Sequence, residues 1–185
     1  MTMDNTESSL AFDAVVTCLN IGVKEFIICS GARNAAVIAA ITSLKGVRVY
    51  NHPEERSAAF FALGRAIIKQ EPVAVVTTSG TAVAELLPAV IEAHYQAVPL
   101  VLLTADRPVR FWGKGAPQAI VQNELFGVYA EKVIDDWNAS RPLHINLPLE
   151  EPSPAQFQRG DLAVRNDDNV AREMPANKED TVKLQ

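Results

Sequence analysis

The sequence predicts an α/β domain of the doubly wound class, with a mostly parallel sheet of about six strands and helices on both faces. Two observations predict it. Short, uninterrupted Val/Ile/Leu runs alternate with longer amphipathic or Ala-rich runs, the pattern of strands buried on both faces and joined by crossover helices. The length of 185 residues suits one domain, which usually spans roughly 100–200 residues.

The elements follow in order along the chain. Residues 8–20 read as a helix with Gly22 beyond its end as a C-cap. Residues 24–29 (KEFIIC) read as a buried strand, and 34–44 as a helix that Asn34 is placed to cap. A second strand is expected at 47–51, an Ala-rich helix at 55–69, a third strand at 72–78 and a third crossover helix at 82–96. A fourth strand (98–105) leads into a Gly- and Pro-rich loop from Arg107 to Pro117. A helix near 118–128, a short strand near 132–135 and a last strand at 142–147 complete the reading. There is no internal repeat.

Composition excludes several classes. The net charge is −5 and the 17 basic residues are scattered, so no stripe suits nucleic acid or a membrane surface. Cys18 and Cys29 sit in apolar segments, which fits a reducing compartment better than a disulfide framework. The polar start lacks the pattern of a signal peptide, and no run approaches the ~18 apolar residues of a membrane span. A cytoplasmic location is expected.

Open parallel sheets bind ligands beyond the carboxyl ends of their strands. That rule gathers four turns on one edge: Cys29 to Asn34, Asn51 to Arg56, Thr78 to Thr81, and Ala105 to Pro108. Arg33 and Arg107 lie in two of them, and each can bind a carboxylate bidentately. The competing reading pairs them with acids such as Glu54 and Asp106; two at one edge favour an anionic ligand. Glu55 opens a helix, where an acid complements the helix dipole. Its functional reading is a carboxylate that hydrogen-bonds a ring nitrogen of a ligand, with Glu54 as its rival one residue away. Gly113-Lys114-Gly115 has Gln118 where a dinucleotide fingerprint needs its third glycine, and Thr77 denies Ser79 a nucleophile elbow. His52, His94 and His144 show no metal-ligand spacing. His94 and His144 read as structural; His52 lies at the active edge, where a role as a turn residue before Pro53 is at least an equal reading.

At these same positions the chain resembles a known family. Glu55-Arg56-Ser57-Ala58-Ala59-Phe60-Phe61-Ala62-Leu63-Gly64 and Thr78-Ser79-Gly80-Thr81-Ala82 resemble the pyrimidine-binding domain of thiamine-diphosphate enzymes. Ser30-Gly31-Ala32-Arg33-Asn34, Leu103 to Pro108, Gly115 to Ile120, and His144 to Pro148 with Glu150-Glu151-Pro152 are similar to the 2-succinyl-5-enolpyruvyl-6-hydroxy-3-cyclohexene-1-carboxylate synthases of menaquinone biosynthesis. The resemblance covers roughly residues 8–152. It implies a homodimeric, Mg2+- and thiamine-diphosphate-dependent transferase that decarboxylates 2-oxoglutarate and adds the carbanion to isochorismate. Glu55 would be the catalytic residue that bonds the cofactor's aminopyrimidine, with Ser79, Gly80 and Thr81 packed near that ring. Arg33, Arg107 and Gln118 would bind substrate, as would the position of Ala32. Two departures stand out: Ala32 replaces a frequent serine, and Pro117 a frequent asparagine.

The family's metal–diphosphate motif, Gly-Asp-Gly, has no counterpart. Gly160-Asp161 is followed by Leu162. Residues 1–155 are therefore expected to form the pyrimidine-binding-type domain, and 156–185 a linker or the start of an absent following domain. Alone, the chain is expected to be inactive. The alternative is a stand-alone, non-catalytic module that binds anions or dimerises.

Overall fold

A parallel strand covered on both faces needs residues that tolerate burial at every position. In the computed structural model, which describes residues 5–152, three strands meet that demand along their whole length: β1 (Glu25–Ile28), β3 (Val73–Thr77) and β4 (Leu100–Asp106). They form the middle of a five-stranded, wholly parallel sheet in the order β2-β1-β3-β4-β5. The edges are β2 (Arg48–Asn51), short and part-exposed, and β5 (Leu143–Pro148). A short edge with a charged residue is a poor template for unwanted pairing.

Helices cover both faces, as expected of the doubly wound class. Alternate side chains along each strand point to opposite sides. Phe26, Ile28, Ala74, Val76, Val101 and Leu103 pack on one side under α1 (Asn5–Asn20) and α2 (Ala35–Ser43). Ile27, Val73, Val75, Leu100 and Leu102 pack on the other under α3 (Glu55–Lys69) and α5 (Leu87–Tyr95). α1 ends as the sequence predicts. Gly22 takes φ +96°, its N–H bonds to Leu19 O, and Val23 N–H bonds to Cys18 O, which closes the helix in a Schellman motif. At the amino edge of the sheet, buried Glu25 needs a partner. Arg65 of α3 supplies a bidentate one, at 2.7 and 2.6 Å, and those bonds hold the Glu25 carboxyl below its usual range.

Three expectations are corrected. The helix expected at 82–96 is two helices, α4 (Thr81–Ala84) and α5. Pro88 explains the break: it has no N–H, and in one continuous helix its ring would press on the carbonyl of Ala84, where α4 stops. The helix expected near 118–128 does not form. Gln118 has φ +59° and Gly127 φ +49°, and the segment closes in successive three-residue turns, Ala119 N to Ala116 O, Leu125 N to Gln122 O and Gly127 N to Glu124 O. A 3-10 helix at Gly127–Tyr129 ends it. The strand near 132–135 is absent too, so the sheet has five strands rather than about six. Only Glu131 touches β5, through an isolated bridge to Leu143, before Trp137 closes a turn onto Ile134 O and Arg141 O. The linker expected at 156–185 and the Gly160-Asp161 pair lie outside the described residues.

Leu102, fully buried in the central strand β4, should lose about 2–5 kcal/mol of stability when changed to Ala. Ile68→Ala on the exposed face of α3 should change it by no more than about 0.5 kcal/mol. Urea unfolding of both variants checks the contrast.

Candidate active site

All strands run the same way, so the turns after β1, β2, β3 and β4 share one edge, as the sequence requires. From β1 the chain steps outward to β2, then returns across β1 to β3. Connections therefore diverge between β1 and β3, and such a divergence leaves a crevice. Beside it, a cleft of about 350 Å³ opens between the turns after β1 and β2, lined by Cys29, Ser30, Asn51, His52, Pro53 and Glu55.

The two adjacent glutamates are divided by helix register. Glu54 is the N-cap of α3: its carboxylate accepts from Arg56 N at 2.9 Å and Ser57 N at 2.8 Å. Hydrogen bonds from Ser57, then Arg56, push its carboxyl down to about 2. Glu55, the first residue of the helix, is half-buried and faces the cleft. Among the described residues none hydrogen-bonds its side chain. Cys29 beside it is a buried free thiol, raised to about 12 by burial and next by the Glu55 and Glu54 charges. His52 is held by the same turn, with Nδ1 3.0 Å from Glu54 O.

The walls of the crevice are set by two glycines. A Cβ on Gly31 would lie 2.5 Å from Thr78 Cβ, so the bare backbone of the β1 turn rests against the Thr78 side chain beyond β3. Gly80 has φ +84°, and a Cβ there would lie 1.7 Å from Gln118 O. Gln118 completes the contact by donating from Nε2 to Ser79 O at 3.1 Å. Gly80 is the N-cap of α4 and Thr81 its first residue. The structure thus brings Ser79, Gly80, Thr81 and Gln118 together.

The arginines occupy the same edge in different ways. Arg33 is buried and donates to Leu149 O at 2.7 Å and to Glu151 Oε2 at 3.2 Å. Its acid partner is Glu151 rather than Glu54 or Asp106. Burial, and next the Arg107 guanidinium, lower its pKa, which places the two cations within each other's field. Arg107 donates through Nη2 to Pro117 O at 2.7 Å, while its buried Nε has no partner among the described residues. The loop beyond it folds back, with Trp112 Nε1 on Arg107 O at 2.8 Å. Ala32 lies exposed between these groups and α2. Asn34 holds the N-cap position of α2 without capping it. Its side chain instead spans its own turn, accepting from Gly31 N and donating to Cys29 O.

Sequence reasoning missed Gln122 and Asn146. Gln122 is 2% exposed and joins Gly80 to Ala105 and Asn146. Asn146 carried a signal, a polar residue within the strand run 143–148, whereas Gln122 opens the polar triplet Gln122-Asn123-Glu124 and carried none. His144, in the next layer, bonds Thr104 Oγ1 at 2.8 Å; burial pushes its pKa down to about 4. Among the described residues no group of three or more His, Cys, Asp or Glu could hold a metal ion, and no helix is long and apolar enough to cross a membrane.

Gly80→Ala should destabilise the fold by at least about 1–3 kcal/mol through backbone strain alone, whereas Gly64→Ala, with open space at its Cβ, should stabilise α3 by about 0.5–1 kcal/mol; thermal melts distinguish them. A histidine with a depressed folded pKa binds fewer protons than it does unfolded, so its stability contribution is full above pH 6.5 and is lost as pH falls towards about 4. His144→Phe should flatten that part of the stability–pH curve.

The comparisons agree with this geometry. The family profile described as thiamine pyrophosphate enzyme, N-terminal TPP binding domain, matches residues 11–125. Proteins named 2-succinyl-5-enolpyruvyl-6-hydroxy-3-cyclohexene-1-carboxylate synthase are similar to the chain. That of Akkermansia muciniphila is 48% identical over 163 residues, covering 82% of this chain and 31% of that protein. That of Bdellovibrio bacteriovorus is 44% identical over 160 residues, 80% of this chain and 30% of that protein. That of Geobacillus kaustophilus is 54% identical over 156 residues, 71% of this chain and 27% of that protein. The chain spans about a third of the length of these relatives, and it belongs to the family of N-terminal, thiamine-pyrophosphate-binding domains of thiamine pyrophosphate enzymes.

Proposed function

We propose that this domain is the pyrimidine-binding wall of a thiamine-diphosphate-dependent synthase that joins 2-oxoglutarate, after decarboxylation, to isochorismate in menaquinone biosynthesis. The names of its relatives support the substrate assignment. The observation that carries it is the Glu55 carboxylate, facing the cleft between the β1 and β2 turns with no hydrogen bond to its side chain among the described residues, while Glu54 is consumed by the helix cap. An aminopyrimidine ring nitrogen can share a proton with such a carboxylate, so the residues present fit the cofactor. Thiamine diphosphate supplies, when bound, the electron sink for decarboxylation and carbon–carbon bond formation.

The chain's own residues then have separable tasks. Glu55 shares a proton with the pyrimidine ring nitrogen and polarises the ring. The backbone of Ser79, Gly80 and Thr81 packs beneath it, held down by Gln118. Arg33 and Arg107 bind substrate carboxylates, supported by their shared edge and by the unpartnered Nε of Arg107. Gln118 and the exposed backbone at Ala32 border the same space. Mg2+ and the diphosphate are proposed to bind the remaining domains of the polypeptide, with residues 1–155 as this domain and 156–185 leading onward. Phe60, Phe61, Ile67 and Ile68 are exposed along α3, which supports a homodimer or docking onto those domains. The assembled enzyme is proposed to be cytoplasmic.

Glu55→Gln in the full-length enzyme should lower kcat at least ~100-fold, the scale of a lost proton-transfer group, while urea unfolding shifts by less than about 1 kcal/mol. Near-normal kcat would overturn the role. The 185-residue chain alone should show no carbon dioxide release from 2-oxoglutarate.

A further inference from the structure

We infer that Gln122 is a positioning residue that couples the cofactor-facing turn to the two arginines; this rests on the roles proposed above for Gly80, Arg33 and Arg107. The Gln122 amide stands buried between three strand ends. Its Oε1 accepts from Gly80 N at 2.8 Å. Its Nε2 donates to Ala105 O at 2.7 Å and to Asn146 Oδ1 at 2.6 Å, with Thr104 Oγ1 more distant at 3.4 Å. Reversing the amide would set its N–H groups against Gly80 N–H and its oxygen against two acceptors, so the network admits one orientation.

The line continues on both sides. Asn146 Nδ2 donates to Asp106 Oδ2 at 2.8 Å, and Asp106 Oδ1 accepts from Arg107 N at 2.6 Å. Asp106 O accepts from Leu149 N, and Leu149 O accepts from Arg33 Nη1 at 2.7 Å. A path of hydrogen bonds therefore runs from Gly80 through Gln122 and Asn146 to Asp106, where it branches to the backbone N–H of Arg107 and, through Leu149, to the Arg33 guanidinium. The loop that carries Gln122 has no helix to stiffen it, and its side-chain bonds hold it to the sheet edge. Gln122 touches neither ligand in this scheme. It fixes how far the turn beneath the cofactor lies from the groups that hold the substrate's carboxylates. A displacement of about 1 Å at such a site is costly to rate.

Gln122→Met keeps the volume and removes every bond. In the full-length enzyme, with Mg2+ saturating, it should raise both the thiamine diphosphate Kd and the 2-oxoglutarate KM roughly tenfold, the scale of a buried polar group left without its partner. Arg107→Gln should raise the KM alone. A Gln122→Met enzyme with both constants unchanged, or one whose only defect is a lower Tm, overturns the inference. If Arg107→Gln leaves the KM unchanged while Gln122→Met still weakens cofactor binding, the arginine's substrate role fails and the tie to Gly80 stands. Should Gln122→Met not fold, Asn146→Ala on half-buried edge strand β5 cuts the same path beyond Gln122. It should raise the KM and leave the cofactor Kd within about twofold, since the Gly80 bond survives; an unchanged KM there also overturns the inference.

Discussion

Everything at the functional edge follows from two close approaches that leave no room for a side chain, at Gly31 where the β1 turn meets Thr78 beyond β3, and at Gly80 where the β3 turn meets Gln118. A Cβ would strike the Thr78 side chain at the first and the Gln118 carbonyl at the second. Because the strands pair directly, the turns cannot part without breaking the sheet. The crevice between them is therefore held by the most buried part of the fold. Glu55, in the adjoining cleft between the β1 and β2 turns, stands beside that rigid base, which favours preorganisation over induced closure.

The division of labour between Glu54 and Glu55 shows how a helix start selects a reactive group. Both are carboxylates at one sheet edge. One residue of register sends the first back onto its own amides and the second into the cleft. The capping bonds strongly favour the ionised form of Glu54 and consume its acceptors. Glu55 keeps its lone pairs for a ligand. Arg33 is more constrained: Leu149 O and Glu151 already engage it. Glu151 is largely exposed, and an ion pair with one solvated partner is weak, so an incoming carboxylate competes with little.

Much of the fold was legible because burial writes itself into composition. Strands β1, β3 and β4 need apolar residues throughout, and the runs FII, VAVV and LVLL announce them. Gly22 marked the end of α1 by the left-handed conformation it takes. The failures have equally specific causes. Pro88 divides a helix whose Ala-rich pattern is continuous. The 118–128 segment has helical composition, but Gln118 is left-handed because its carbonyl must meet Gly80, and Gln122 spends its side chain on three strand ends. Those demands of Gln122 arise between residues 17, 24 and 42 positions apart, which no local pattern encodes. For the site, the edge rule gathered Glu55 and both arginines; the bonds that relate them run through Gln122 and Asn146, which resemble ordinary polar residues.

Cys29 carries a last consequence. It lines the cleft beside Glu55, and burial together with that negative charge keeps the sulfur protonated far above physiological pH. Oxidants and electrophiles react with thiolates rather than thiols. Burial first, and the carboxylate offered to a ligand second, thus set the Cys29 sulfur against thiolate chemistry.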